Sequence, residues 1–118
     1  MKIKTCNLIG KPLDWAVSEA EGVSYADYME DGPINQRKWS TDWSQGGPII
    51  EREGIELSRD MGVYPILPDG SLGVNLVHKW MANIERHWQY GPTPLIAAMR
   101  CYVASKLGTE LEVPDGLV

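Results

Sequence analysis

The segment Thr93–Gly108, TPLIAAMRCYVASKLG, constrains this chain more than any other. A threonine that can accept from a first-turn N–H stands before a proline at the first helical position, and a glycine suited to a left-handed end closes the run. Ile96, Met99, Val103 and Leu107 recur at helical spacing and predict an apolar stripe. A second stripe, Ala97, Cys101, Ala104 and Gly108, is small enough to let another backbone come close. The segment PLDWAVSEAE, 12–21, is the expected neighbour. Pro12 opens it, Gly22 lies beyond its end, and Leu13, Ala16, Val17 and Ala20 form its own stripe. The two helices are expected to pack together. A twin copy of the last helix could occupy the small-residue stripe instead, so monomer and homodimer both remain open. Trp15 falls off the stripe of the first helix and is expected to cover a loop or stay partly exposed.

Elsewhere the signals are shorter. Thr5 can cap a single turn through Leu8, ended by Gly10. Residues 22–47 have no sustained period and read as an ordered loop, with at most a helical turn at 24–30. Pro48 is placed to open a turn of helix, PIIERE, closed by Gly54. In GIELS, Ile55 and Leu57 alternate with Glu56, the pattern of a half-buried strand. The stretch 59–78 is turn-rich. VNLVHKWMANIERHW, 74–88, fits a helix through Val77, Trp80, Met81, Ile84 and Trp88, and a strand through Trp80, Ala82 and Ile84. We adopt a strand at 79–84 pairing with 55–58, with the helix as the alternative. In ELEVP, Leu111 and Val113 face one way, and Pro114 leaves a short acidic tail at 114–118, expected to be flexible. The fold expected is α+β, a single small domain over 1–118. Two main helices pack on a small antiparallel sheet, with long ordered loops at 23–47 and 59–78.

Composition narrows the function classes. The formal net charge is −5 and the Lys and Arg residues are scattered, whereas a nucleic-acid backbone binder draws affinity from clustered cations. No apolar run approaches the roughly 18 residues of a membrane span. MKIKTCNLIG lacks the apolar core of a signal peptide. Cys6 and Cys101 stand outside any CxxC motif, which suits two buried thiols in a reducing compartment, with a disulfide between them as the less favoured reading. His78 and His87 are not grouped with other ligands, so no metal site and no cofactor is expected. There is no GxSxG for a nucleophile. Glu51, Glu53 and Glu56 could form a carboxylate pair, and exposed glutamates around a turn explain them as well.

The stretch WSTDWSQGGPIIERE, 39–53, is the most unusual. Its Ser, Thr, Asp and Gly residues favour turns over helix, so Trp39 and Trp43 are expected on a loop. The chain has no Phe, and the two rings either plug the side of the core or offer a binding surface. Gly46-Gly47-Pro48 is expected to turn the chain so that Trp43 stands near Thr93 and Arg100. As a phosphate cradle it is weak, because Pro48 removes one N–H and acids follow.

Three segments, LIGKPLDWAVSEAEG, STDWSQGGPIIEREGIEL and GPTPLIAAMRCYVASKLGTELEVPDGL, together about half the chain, resemble the NinX family of small proteins from the nin region of lambdoid phages. The resemblance implies a phage origin and expression in the cytoplasm of an infected bacterium. It brings no catalytic residues. It also implies that the middle stretch and the last helix belong to one unit, in which Trp43, Gln45, Gly46, Gly47, Pro48 and Arg52 meet Thr93 and Arg100. The candidate partner- or ligand-binding residues are therefore Trp39, Trp43, Gln45, Gly46, Gly47, Arg52, Thr93 and Arg100. On this basis the expected role is an early, non-enzymatic accessory protein that binds a host component in takeover or counter-defence. One alternative is a sponge for a nucleotide-derived signal, with Trp stacking a base and Arg52 or Arg100 meeting phosphate. The other is a small hydrolase built on an unrecognised carboxylate site.

Overall fold

A computed structural model describes residues 1–23, 37–60, 66–71 and 79–117. In chain order these form β1 (Lys2–Lys4), a 3-10 turn (Thr5–Asn7), α1 (Lys11–Ala20), α2 (Trp43–Glu53), β2 (Glu56–Asp60), β3 (Lys79–Ile84), β4 (His87–Gly91), α3 (Pro94–Leu107), β5 (Glu110–Glu112) and a last 3-10 turn (Asp115–Leu117). The α+β class holds, the described residues forming three helices and two small antiparallel sheets, β1–β5 and β2–β3–β4. The helical turn expected at 24–30, and most of the excursion at 59–78, lie outside the described residues.

The last helix ends where its caps place it. The Thr93 hydroxyl accepts from the Ile96 N–H at 3.1 Å, and Gly108 leaves the helix at φ 98°. Its burial exceeds one stripe. Leu95 to Met99 and Cys101 to Ala104 are all buried, because α1 packs on one side of α3 and the three-stranded sheet on another. The small-residue stripe is therefore spent inside the molecule. Ala97 and Cys101 are fully buried, so they are not open to a twin helix. Gly91 shows how close the packing is, since a Cβ there would sit 2.6 Å from the Ala97 nitrogen. Leu107, expected on the apolar stripe, is 38% exposed at the helix end.

α1 buries Leu13, Ala16 and Val17 as expected. Trp15 is a correction. It is only 8% exposed and belongs to the core, because the opposite face of α1 is also covered. Ser40 binds Asp14 there, and the Trp39 indole N–H donates to the Ser18 hydroxyl. Residues 79–84 form a strand, and Leu57↔Ala82 is the register with β2. β3 returns through a two-residue turn, Glu85-Arg86, into β4, a strand the sequence reading did not expect. The strand at 110–112 pairs with β1, Ile3 opposite Leu111. β1 was missed because KIK carries a single apolar residue and no period. Thr5 does not cap; its hydroxyl donates to the Gly108 carbonyl at 2.7 Å and ties this sheet to the end of α3. Both thiols are free. Cys101 is buried as expected, while Cys6 is exposed, a correction that follows from its place on a surface turn. Within the acidic tail, Asp115–Leu117 form a 3-10 turn.

Candidate functional site

The 39–53 stretch is not a loop followed by a turn of helix. It is helical from Trp43, so Gly46-Gly47-Pro48 does not turn the chain, and Pro48 does not open the element. Asp42 is the N-cap, its carboxylate accepting from the Ser44 N–H at 2.9 Å and the Ser44 hydroxyl at 2.6 Å. Those bonds hold the Asp42 carboxyl below its ordinary value. Pro48 lies inside the helix, where a proline forfeits a backbone bond and crowds the preceding turn, at a cost of about 3 kcal/mol. Tertiary contacts offset that cost. Ile49 is 2% exposed, the Gln45 side-chain carbonyl accepts from the Lys38 N–H at 2.8 Å, and Gly54 at φ 64° closes the helix. Gly46 is required by proximity: a Cβ would overlap the Trp39 carbonyl oxygen and lie 2.6 Å from Leu95 Cδ1. Gly47 has no such neighbour.

The two tryptophans differ in burial. Trp39 is a half-buried plug, its indole N–H held by Ser18 at 2.9 Å and its ring under the Arg37 guanidinium at 5.8 Å. Trp43 is 52% exposed at the head of α2. Beside it lies a hollow of about 180 Å³ lined by Ser40, Thr41, Trp43, Thr93, Leu95 and Ile96. Thr93 and Trp43 therefore do meet. Its inner wall is anchored through Asp14, 6% exposed, which accepts from Ser40 N–H at 2.9 Å and Ser40 Oγ at 2.6 Å. Burial pushes the Asp14 carboxyl above its ordinary value, and the Ser40 bonds oppose the shift.

The arginines do not join this hollow. Arg100 donates from Nε to the Leu8 carbonyl and from Nη1 to the Tyr90 carbonyl, each at 2.8 Å, so it clamps the end of the first 3-10 turn to β4. Burial lowers its pKa. Arg52 pairs with Glu21, reaches the Tyr102 hydroxyl at 3.2 Å, and lies over the Tyr102 ring at 5.8 Å. Burial, with Glu21 adding to it, pushes the Tyr102 hydroxyl up to about 12. Arg52 also borders a polar cleft of about 320 Å³ with Glu53, Glu85, His87 and Lys106, where Glu53 is shared between Arg52 and Lys106. Of the three glutamates weighed as a carboxylate pair, Glu53 alone lines this cleft. Among the described residues no three His, Cys, Asp or Glu side chains gather as a metal set, and His78 lies outside them.

The sequence reading missed Ser40, Thr41, Leu95 and Ile96 as neighbours of Trp43. Asp42 followed by Ser44 was the available signal, since an Asp before a Ser two residues on is a helix-start pattern. A family model described as "Bacteriophage P22, NinX" matches residues 4–106, a span that runs from the end of β1 almost through α3. No curated protein matches the chain.

Proposed function

The chain belongs to the bacteriophage P22 NinX family, and on that premise we propose that it is a non-enzymatic accessory protein that binds a host protein in the bacterial cytoplasm, early in infection, through the Trp43 surface. One observation carries this reading: a 52% exposed tryptophan at the rim of a hollow whose floor is Leu95 and Ile96. Tryptophan loses little conformational entropy for the area it contributes, and is among the residues that dominate protein interfaces. The hollow, about 180 Å³, is smaller than the roughly 300–1,000 Å³ of small-molecule pockets. It suits one apolar side chain of a partner. A nucleotide-like ligand would want an aromatic ring and a guanidinium on one cavity. Arg52 and Arg100 are each engaged elsewhere, which weighs against the sponge.

The test is capture from lysate of an infected host with the immobilised full chain and with Trp43→Ala, followed by mass spectrometry of bound proteins and small molecules. The parent should retain one or a few host proteins that the variant releases, while both melt within a degree or two of each other. Undiminished retention by Trp43→Ala would remove Trp43 from the working surface. Recovery of a small molecule alone would favour the sponge.

A further inference from the structure

The sheet β2–β3–β4 covers α3 with one face, on which Ala82, Ile84 and Gly91 are buried. Side chains alternate across a strand, so Trp88 and Tyr90 on β4, Met81 and Asn83 on β3, and Glu56 on β2 stand on the other face. An antiparallel sheet normally presents polar residues to water on its outer side. Here Trp88 is 50% exposed and Tyr90 42%. Exposed apolar patches of this kind mark association surfaces. Both rings keep accessible surface there, and the strand edge beside them is partly closed, because Arg100 already occupies the Tyr90 carbonyl.

We propose that this outer face binds a second copy of the chain, forming an isologous, reversible homodimer. Its charges are self-complementary. Glu56 and Arg86 are both exposed, and neither has an ion-pair partner among the described residues. Glu56, Asn83 and Trp88 form one row across the sheet, and Arg86 lies two residues before Trp88. On an ideal pleat, with a rise of about 3.3 Å and strands about 4.8 Å apart, one two-fold axis in the plane between the copies lays Glu56 over Arg86 of the partner, and the reverse. That same axis runs within about 2 Å of Trp88, Tyr90 and Asn83 in this idealised geometry, so each meets its own counterpart. The rings pack on one another.

The turn supports the use of Arg86. Glu85 and Arg86 adopt φ 46° and 74°, left-handed positions where Asn-Gly would be easier. Non-glycine residues held there are strained, a pattern that gathers at functional sites. The two half-exposed rings offer on the order of 100 Å² each. A contact centred on them falls at or below the roughly 1,200 Å² low end of specific association, which predicts a weak dimer.

Sedimentation velocity of the full chain at low salt, from about 10 µM to about 1 mM, tests the proposal. The parent should pass from monomer to dimer across that range. Trp88→Asp and Arg86→Glu should each raise the midpoint at least about tenfold, without changing the melting temperature of the dilute protein. Arg86→Glu combined with Glu56→Arg should restore the parent midpoint. Trp43→Ala should leave it unchanged, which separates this surface from the host-binding one. A monomer mass throughout overturns the proposal. So does a dimer indifferent to Trp88→Asp, or a double swap no better than Arg86→Glu alone.

Discussion

Two adjacent glycines in one helix should respond to alanine with opposite signs. Gly46 and Gly47 both lie in the interior of α2, where replacing glycine by alanine gains about 1 kcal/mol from helix propensity and the smaller entropy of the unfolded chain. At Gly47 the added methyl would lie 3.9 Å from Trp43 Cε3, an ordinary contact, so nearly the full gain should appear. At Gly46 the methyl would overlap the Trp39 carbonyl oxygen and crowd Leu95. The carbonyl is backbone and cannot swing aside as a side chain can. Overpacking a filled site costs about 1–3 kcal/mol, and displacement of the 38–41 segment would add strain at the Ser40–Asp14 joint. Gly46→Ala should therefore end about 1–2 kcal/mol below the parent, some 2–3 kcal/mol below Gly47→Ala. Urea unfolding followed by tryptophan fluorescence resolves that difference, and thermal melts should separate by roughly 10 °C at about 4 °C per kcal/mol. Equal stabilisation by both variants would mean that the Trp39 carbonyl does not rest on Gly46. Equal destabilisation would mean that the segment is not helical.

Met99→Ala, at a fully buried position of α3, should lower stability by about 2–5 kcal/mol in the same urea assay. Arg100→Ala should lower it as well, by about 1–3 kcal/mol, because the part-buried Leu8 carbonyl loses its donor; a variant as stable as the parent would show that the clamp is idle. Asp14 gives a pH signature. Its folded pKa lies above its ordinary value of 3.8, so the native state holds that proton more tightly than the unfolded chain, and the carboxylate is a handicap above the folded pKa that fades as pH falls toward 3.8. Asp14→Asn keeps an acceptor for Ser40 and removes the charge, so its advantage over the parent should be largest at neutral pH and shrink on acidification; a constant difference from pH 7 to 4 would contradict this. Replacing Glu85-Arg86 by Asn-Gly should raise stability by about 1–2 kcal/mol, read as a shift in the urea midpoint, by relieving two left-handed residues.

How far the sequence reaches is clearest in α3 and α2, which lie against each other. For α3, Thr93, Pro94 and Gly108 act on groups within a few residues of themselves, so start, stop and helical period could all be read along the chain. The same holds for Gly54 and for the alternation around Leu57, whereas the periods around β3 fitted helix and strand alike. α2 contradicts its own composition. Two glycines and an internal proline argue against helix, and what holds it is remote: Ile49 in the core, Lys38 on Gln45, and Leu95 on Gly46. β1 is three residues long and exists through its pairing with β5, more than one hundred positions away. The candidate site divides in the same way. That an aromatic residue stands beside Thr93 was legible from residue types and from the resemblance, and so was the doubt over which tryptophan is a plug. Trp39 became the plug because Ser18, one α1 face away, satisfies its indole N–H, and Trp43 became exposed because capping by Asp42 turns the helix head outward. Arg100 was misjudged for a related reason. A guanidinium flanked by alanines looks unengaged in sequence, but its partners are the backbone carbonyls of Leu8 and Tyr90, and carbonyls are common to every residue. Caps and periods are short-range and leave marks in residue identity. Which backbone oxygen or open face lies opposite a side chain is set by packing between distant segments, and only the tertiary structure decides it.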